Sequence, residues 1–262
     1  MNFDMGRAWS DAIAKLGANF SLLAILGGVF FFVPSLLMFI ALPDVMGTLM
    51  SPNMDPTQME AVMADLGPSF FGFYLLVIVT SFIGYVAMVA LLGDNSRLSV
   101  GEAIGRGVKA LLPLLAILVI VIVAYFVIAL VAWTVVPFVI VIAIIGALLW
   151  VMTRLSMITP VIALENTMNP FTVLGRSWAL TGPAQGRLFL FYLVLFIAYF
   201  VVALVAFMIM GLITSAIGAP SVLGFLNGIV GALVAMLFSA IFVAIYSQLA
   251  GATAANVGDT FE

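Results

Sequence analysis

The sequence predicts an all-α polytopic membrane protein: six transmembrane helices arranged as three hairpins, each preceded by a short amphipathic helix on the cytoplasmic side. Three observations carry that expectation. Hydrophobic residues make up 66% of the chain and charged residues only 7%, against about a quarter charged in soluble domains. A chain of 262 residues has too little polar surface to enclose that much apolar content in water, so lipid is the solvent. The apolar residues also fall in long runs, and spanning a core about 30 Å thick takes about 20 of them. Runs such as LLPLLAILVIVIVAYFVIALVAW at residues 111–133 lack the alternation of barrel strands, which leaves helices. Finally, all eight Lys and Arg residues fall on one side of the predicted topology.

Residues 3–16 (FDMGRAWSDAIAKL) read as a helix lying in the interface. At about 100° per residue, Met5, Trp9, Ala12, Ile13 and Leu16 share one face, and Asp4, Arg7, Asp11 and Lys15 the other. Arg7–Asp11 and Asp11–Lys15 are i,i+4 pairs, each worth about 0.3 kcal/mol. A cleaved signal peptide fits poorly, because the apolar run over 20–42 exceeds an h-region of about 7–15 residues and two acids precede it.

Residues 20–42 form the first span, with a kink expected at Pro34. The loop 43–68 holds Asp44, Asp55, Glu60 and Asp65 and no basic residue. Within it, Asp55-Pro56-Thr57-Gln58 starts a short helix, and Gly67-Pro68 stops it. Residues 70–92 are the second span. Ser99-Val100-Gly101-Glu102 is a capping box, opening a helix with Val100, Ile104, Val108 and Leu111 opposite Glu102, Arg106 and Lys109.

Residues 111–151 are almost wholly apolar, and as one helix would reach about 60 Å, roughly two bilayer cores. A turn is therefore expected at 133–137, between a third span ending near Trp133 and a fourth starting near Pro137. Arg154 falls late in the fourth, within snorkelling reach of the headgroups. Residues 169–187 (NPFTVLGRSWALTGPAQGR) begin with Asn169 as N-cap and Pro170 at N1. Phe171, Leu174 and Trp178 share a face there, with Arg176 opposite and Gly182-Pro183 as the stop. Residues 188–213 and 222–249 are the fifth and sixth spans. Gly224/Gly228 and Gly231/Ala235/Ser239 give the sixth a small-residue ridge.

Gly-Arg recurs at Gly6-Arg7, Gly105-Arg106 and Gly175-Arg176, with Trp following at Trp9 and Trp178. The recurrence divides a single transmembrane domain, 1–250, into pseudo-repeats at about 3–92, 99–165 and 169–250, before a flexible tail at 251–262. With both termini cytoplasmic, Arg7, Lys15, Arg97, Arg106, Lys109, Arg154, Arg176 and Arg187 all lie inside, and the loops 43–68 and 214–221 contain none.

The absence of Cys removes disulfides and thiolate chemistry, and the absence of His removes the most frequent general base and metal ligand. A net charge of −3 without any basic cluster excludes nucleic acid as an expected partner. No cofactor or metal is expected, and the spans carry no convergent pair of catalytic groups.

Arg154, Glu165 and Asn227 are the polar residues within or at the edge of the spans. Glu165 lies about 16 Å beyond Arg154 on the same face, too far for a pair on one straight helix. Arg7, Trp9, Arg106, Lys109, Arg176, Trp178 and Arg187 could form a rim for lipid headgroups, but plain interface anchoring, which needs no ligand, is the favoured reading because they make no dense basic cluster. The methionines Met46, Met50, Met54, Met59 and Met63 suit apolar filling better than copper. Phe189, Tyr192, Phe196, Tyr199 and Phe200 make an aromatic stripe on the fifth span. Lipid contact or helix packing is its default role, and a groove for an acyl chain the sharper one.

The combination of Pro160, Glu165 and Gly175-Arg176-Ser177-Trp178-Ala179-Leu180-Thr181, then Arg187 and a long span, resembles the membrane domain associated with bacterial glycerophosphodiester phosphodiesterases. The closing Tyr246-Ser247-Gln248-Leu249 sits where that family places a Tyr and a Leu. The resemblance covers most of the chain and implies a multi-pass protein of the bacterial inner membrane. It does not bring the phosphodiesterase activity, which belongs to a separate soluble barrel with acidic and His ligands. The expectation is a lipid-associated or scaffold protein whose partners are membrane lipids, another envelope protein or a second copy. The alternative is a transporter of a lipid or small amphipathic molecule, since parallel repeats are a known transporter plan. A polar cavity touching Asn227 and Arg154 would favour transport, and a closed apolar bundle the scaffold.

Overall fold

Caps and apolar runs set where the helices begin and end. In a computed structural model that describes residues 3–42, 45, 57, 67–93, 98–133, 149–217 and 220–258, no strand occurs among the described residues. Helix α1 (Met5–Ala18) starts where the Asp4 carboxylate accepts from the Arg7 backbone N–H at 2.9 Å. It ends at Asn19, whose side chain donates to the Lys15 carbonyl. Helix α2 (Phe20–Ala41) contains a π-turn at Gly28–Phe32. Pro34 offers no N–H to the carbonyl four residues back and its ring crowds that carbonyl, so a wider turn absorbs the misfit. The kink expected at Pro34 is thus displaced into the preceding turn.

Helix α3 (Pro68–Gly93) is followed by α4 (Val100–Trp133). Ser99 and Glu102 cap α4 reciprocally: the Ser99 N–H donates to the Glu102 carboxylate at 2.8 Å and the Glu102 N–H to the Ser99 hydroxyl at 3.3 Å. Residues 149–155 are helical and break before α5 (Ile158–Glu165). Pro160, four residues beyond Ser156, leaves the Ser156 carbonyl without a helical donor. Asn166, at φ 55°, closes α5 in the left-handed region that Asn tolerates. Helix α6 (Pro170–Thr181) is capped by Asn169, which accepts from Phe171 and Thr172 at 3.0 and 3.4 Å. A 3₁₀ turn, Gly182–Ala184, leads into α7 (Gln185–Ile217), and α8 (Pro220–Gly258) completes the order.

Two helices run on further than the sequence predicts. The surface helix foreseen before the third span is continuous with it: α4 runs unbroken for 34 residues, about 51 Å. Pro113 removes one hydrogen bond, and no glycine or cap follows it to stop the helix. Helix α8 likewise runs past Leu249 to Gly258, through Ala-rich residues that favour helix. The expected turn at 133–137, most of the fourth span, and the loop methionines Met46, Met50, Met54, Met59 and Met63 lie outside the described residues.

Among the described residues, five helices are long and apolar enough to cross a bilayer: Phe20–Ala41, Phe70–Gly93, Val100–Val127, Pro170–Thr214 and Val222–Gly251. The last of these is the hub, packed by α1, α2, α3 and α7. Gly224 and Gly228 of α8 receive Phe39 and Phe32 of α2, leaving no room for a Cβ. Gly231, expected on the same ridge, faces open space, and Ala232 takes its place against Gly27. The contact follows the i,i+4 row 224–228–232, one position away from Gly231. Ala235 and Ser239 are buried as the ridge requires. On α1, Ala8 and Ala12 are fully buried while Trp9 and Ile13 point outward. The apolar face foreseen there divides into a small-residue contact and an exposed edge.

Helix α7 packs differently. The most apolar window of its span has no buried residue, and its main contacts are with α8 and the turn before it. Its divergence from α4 leaves a cleft.

Candidate functional site

A polar girdle occupies one end of the bundle. Asn166 folds the chain back, so that Arg176 of α6 faces Glu165 at the end of α5. The Arg176 Nε donates to both Glu165 oxygens at 3.0 and 3.1 Å. Tyr246 of α8 donates its hydroxyl to the same carboxylate at 2.9 Å. Arg106 Nη1 donates to the Ala163 carbonyl at 3.2 Å, and Lys15 Nζ to the Leu92 carbonyl at 3.3 Å. Gln248 ties α8 to the start of α1, accepting from the Asp4 N–H and donating to the Asp4 carbonyl.

Arg154 belongs to this girdle but is held differently. Its guanidinium lies against the rings of both Trp150 and Trp178, 5.1 and 5.0 Å from their centroids, and the two rings meet edge to face at 5.4 Å. Two such cation–π contacts are worth about 0.5–2 kcal/mol each, depending on desolvation. Nη1 donates to the Trp178 carbonyl at 3.0 Å, and Nε is buried without a hydrogen-bond partner. The Ser177 hydroxyl donates to the Arg154 carbonyl at 2.7 Å. Gly182 lies against Nη1, where a Cβ would come within 2.8 Å. Arg154 is therefore locked onto α6 rather than simply stretched toward water.

Of the residues singled out from sequence, Arg106, Arg154, Glu165, Arg176 and Trp178 share the girdle. Arg7 is exposed and pairs with Asp11 at 3.7 Å. The Asp11–Lys15 pair gives way to the contact of Lys15 with α3. Trp9 is 43% exposed, and Lys109 and Arg187 are also exposed. Asn227 is half-buried on α8 and about 28 Å along that helix from Tyr246. Gln248 and Gln185 have as their one signal a polar side chain at the end of an apolar run, and Tyr246, part of the closing segment that carries the family resemblance, gave no sign of its contact with Glu165.

Beside the girdle an open-sided cleft of about 590 Å³ lies between α4, residues 149–159, α7 and α8. Four residues of the aromatic stripe, Phe189, Tyr192, Phe196 and Tyr199, line it, whereas Phe200 faces outward. The opposite wall includes Ile117, Leu118 and Val121 of α4. Polar groups are few. The Thr153 and Ser156 hydroxyls donate to the backbone carbonyls of Leu149 and Thr153. The Tyr192 hydroxyl is buried with no hydrogen-bond partner. Neither Arg154 nor Asn227 lines the cleft. Among the described residues no group of three acidic side chains gathers as a metal site would need.

Protein-family models, curated proteins and solved structures give no match.

Proposed function

We propose that the chain is a lipid-associated protein of the bacterial inner membrane, without a catalytic centre, that holds an acyl chain in its lateral cleft. The observation that carries this reading is the cleft itself, about 590 Å³ and walled by α7's aromatic stripe. That volume falls in the range of small-molecule sites. Its walls on α4, α7 and α8 belong to apolar helices long enough to span, so hydrocarbon is the abundant occupant at that depth. The six-span topology with both termini cytoplasmic rests on the one-sided placement of the basic residues.

We read the chain as carrying the membrane domain it resembles. In support, Glu165, Arg176 and Tyr246, far apart in sequence, meet in one hydrogen-bonded group, with Ser177 and Trp178 bound to Arg154 next to it. Holding a lipid is favoured over carrying one across, because the cleft is apolar and touches neither Arg154 nor Asn227.

Native mass spectrometry of the protein extracted in mild detergent tests the proposal. The wild-type chain is expected to retain a phospholipid, and Leu118→Trp, which fills the cleft from α4, to retain several-fold less. Equal retention by the two would overturn the acyl-chain reading.

A further inference from the structure

We infer that Arg154, with Trp150 and Trp178, forms a surface site for the phosphate of an anionic glycerophospholipid, separate from the cleft. The inference goes beyond the proposed function and does not rest on it. It starts from a charge that the protein leaves without a counter-ion. Arg7 pairs with Asp11 and Arg176 with Glu165, whereas no carboxylate reaches Arg154 among the described residues. A guanidinium cannot shed its proton, and a charge half-buried at the edge of lipid calls for a partner of opposite sign. The protein supplies one carbonyl to Nη1 and shuts Nε in. Nη2 makes no hydrogen bond and, unlike Nε, keeps accessible surface. It is the atom that a ligand meets.

The surroundings add donors rather than acceptors. Trp150 and Trp178 are each 42% exposed, and neither indole N–H donates to any group among the described residues. The two rings lie 5.4 Å apart and about as far from the guanidinium. Unused donors and one uncompensated positive charge thus share a single outward patch, at the depth where Trp collects beside the headgroups. A phosphate brings both the negative charge and the acceptor oxygens. In phosphatidylcholine that charge is already balanced by the lipid's own ammonium, so an anionic headgroup fits better. The guanidinium is held in advance by the two rings and by Gly182, which reduces the ordering cost of binding. The patch is not a mouth of the cleft. Leu149 and Met152 line the cleft, and helical spacing puts Arg154 on the other side of that segment.

The test uses the full chain, delipidated in detergent and titrated by native mass spectrometry with phosphatidylglycerol, phosphatidylcholine and diacylglycerol of identical chains. The wild type is expected to bind phosphatidylglycerol about tenfold more tightly than diacylglycerol, the scale of one charge-assisted contact, and more tightly than phosphatidylcholine. Arg154→Gln should lose that preference, and Arg154→Lys should recover part of it. The Ser177 hydroxyl still holds the backbone carbonyl of residue 154 in both variants, so α6 stays docked. Gly182→Ala keeps the charge but displaces the guanidinium, and should weaken phosphatidylglycerol binding several-fold. Leu118→Trp, which fills the cleft, should leave the preference intact. A preference that survives in Arg154→Gln would overturn the site, as would equal binding of the three lipids by the wild type. A preference abolished by Leu118→Trp would move the anionic lipid into the cleft and overturn this site while leaving the proposed function standing. Inorganic phosphate in excess should displace little of the bound lipid; full displacement of the Arg154-dependent binding would make the ligand a soluble phosphate instead.

Discussion

The carboxylate of Glu165 holds two partners of unlike strength. Arg176 approaches it through Nε, but the Arg176 side chain is 39% exposed, so solvent screening keeps that pair below about 1 kcal/mol. The Tyr246 hydroxyl is a charge-assisted donor to the same group, and such bonds contribute about 1.5–3 kcal/mol. Tyr246→Phe is therefore expected to destabilise the protein at least as much as Arg176→Gln, read as the midpoint of thermal unfolding in detergent. An unchanged midpoint in Tyr246→Phe would mean that the bond is not formed. Arg154 gives a steric counterpart. Gly182→Ala puts a methyl group 2.8 Å from Nη1, and the guanidinium must leave its place against Trp150 and Trp178. Overpacking of this kind costs about 1–3 kcal/mol, and the shift should also appear in tryptophan emission. Unaltered emission and midpoint would show that the clamp is loose. Arg154 and Glu165 were legible in the sequence because charge is rare in these runs. Arg176 and Trp178 were legible too, but none of the pairings was. Trp150 sits inside an unbroken apolar stretch, and Tyr246 is 81 positions from Glu165.

Helix–helix contacts in lipid depend on close backbone approach, since burial of apolar surface gives little drive between helices already in hydrocarbon. The contact of α8 with α2 follows that rule, with Phe39 and Phe32 seated over Gly224 and Gly228. Gly224→Leu should separate the two helices and lower the unfolding midpoint strongly. Gly231→Leu, directed into open space, should leave it nearly unchanged. Equal effects of the two would mean that the ridge lies on another face. The ridge was half legible: four-residue spacing identified Gly224 and Gly228, but it could not tell the row through Ala232 from the neighbouring one through Gly231. Capping chemistry read more faithfully, as at Ser99 with Glu102 and at Asn169, because a cap is set by residues a turn apart. The continuity of α4 through Pro113 was hidden for the opposite reason. An amphipathic pattern followed by an apolar one looks the same whether or not the helix bends between them.

For the molecule as a whole, orientation rests on charge rather than on packing. The girdle brings Lys15, Arg106, Arg154 and Arg176 to one end of the bundle, the end that the positive-inside rule assigns to the cytoplasm. Arg176→Glu reverses one of those charges and sets it beside Glu165. Like charges at that distance repel, so α6 should detach from the end of α5, and the span that follows loses a cytoplasmic anchor. The expected result is a mixed orientation of residues after 187, read by accessibility of single cysteines placed between α7 and α8, against a background that contains no native Cys. Arg176→Gln removes the anchor without the repulsion and should keep the wild-type orientation, because Arg187 remains at the start of α7. A lipid-binding defect with normal topology in Arg176→Glu would instead make Arg176 part of a headgroup site. The two outcomes separate because the cleft lies on α7 and α4, with no wall contributed by Arg176. Disturbing the girdle should therefore change how the chain sits in the membrane before it changes what the cleft holds.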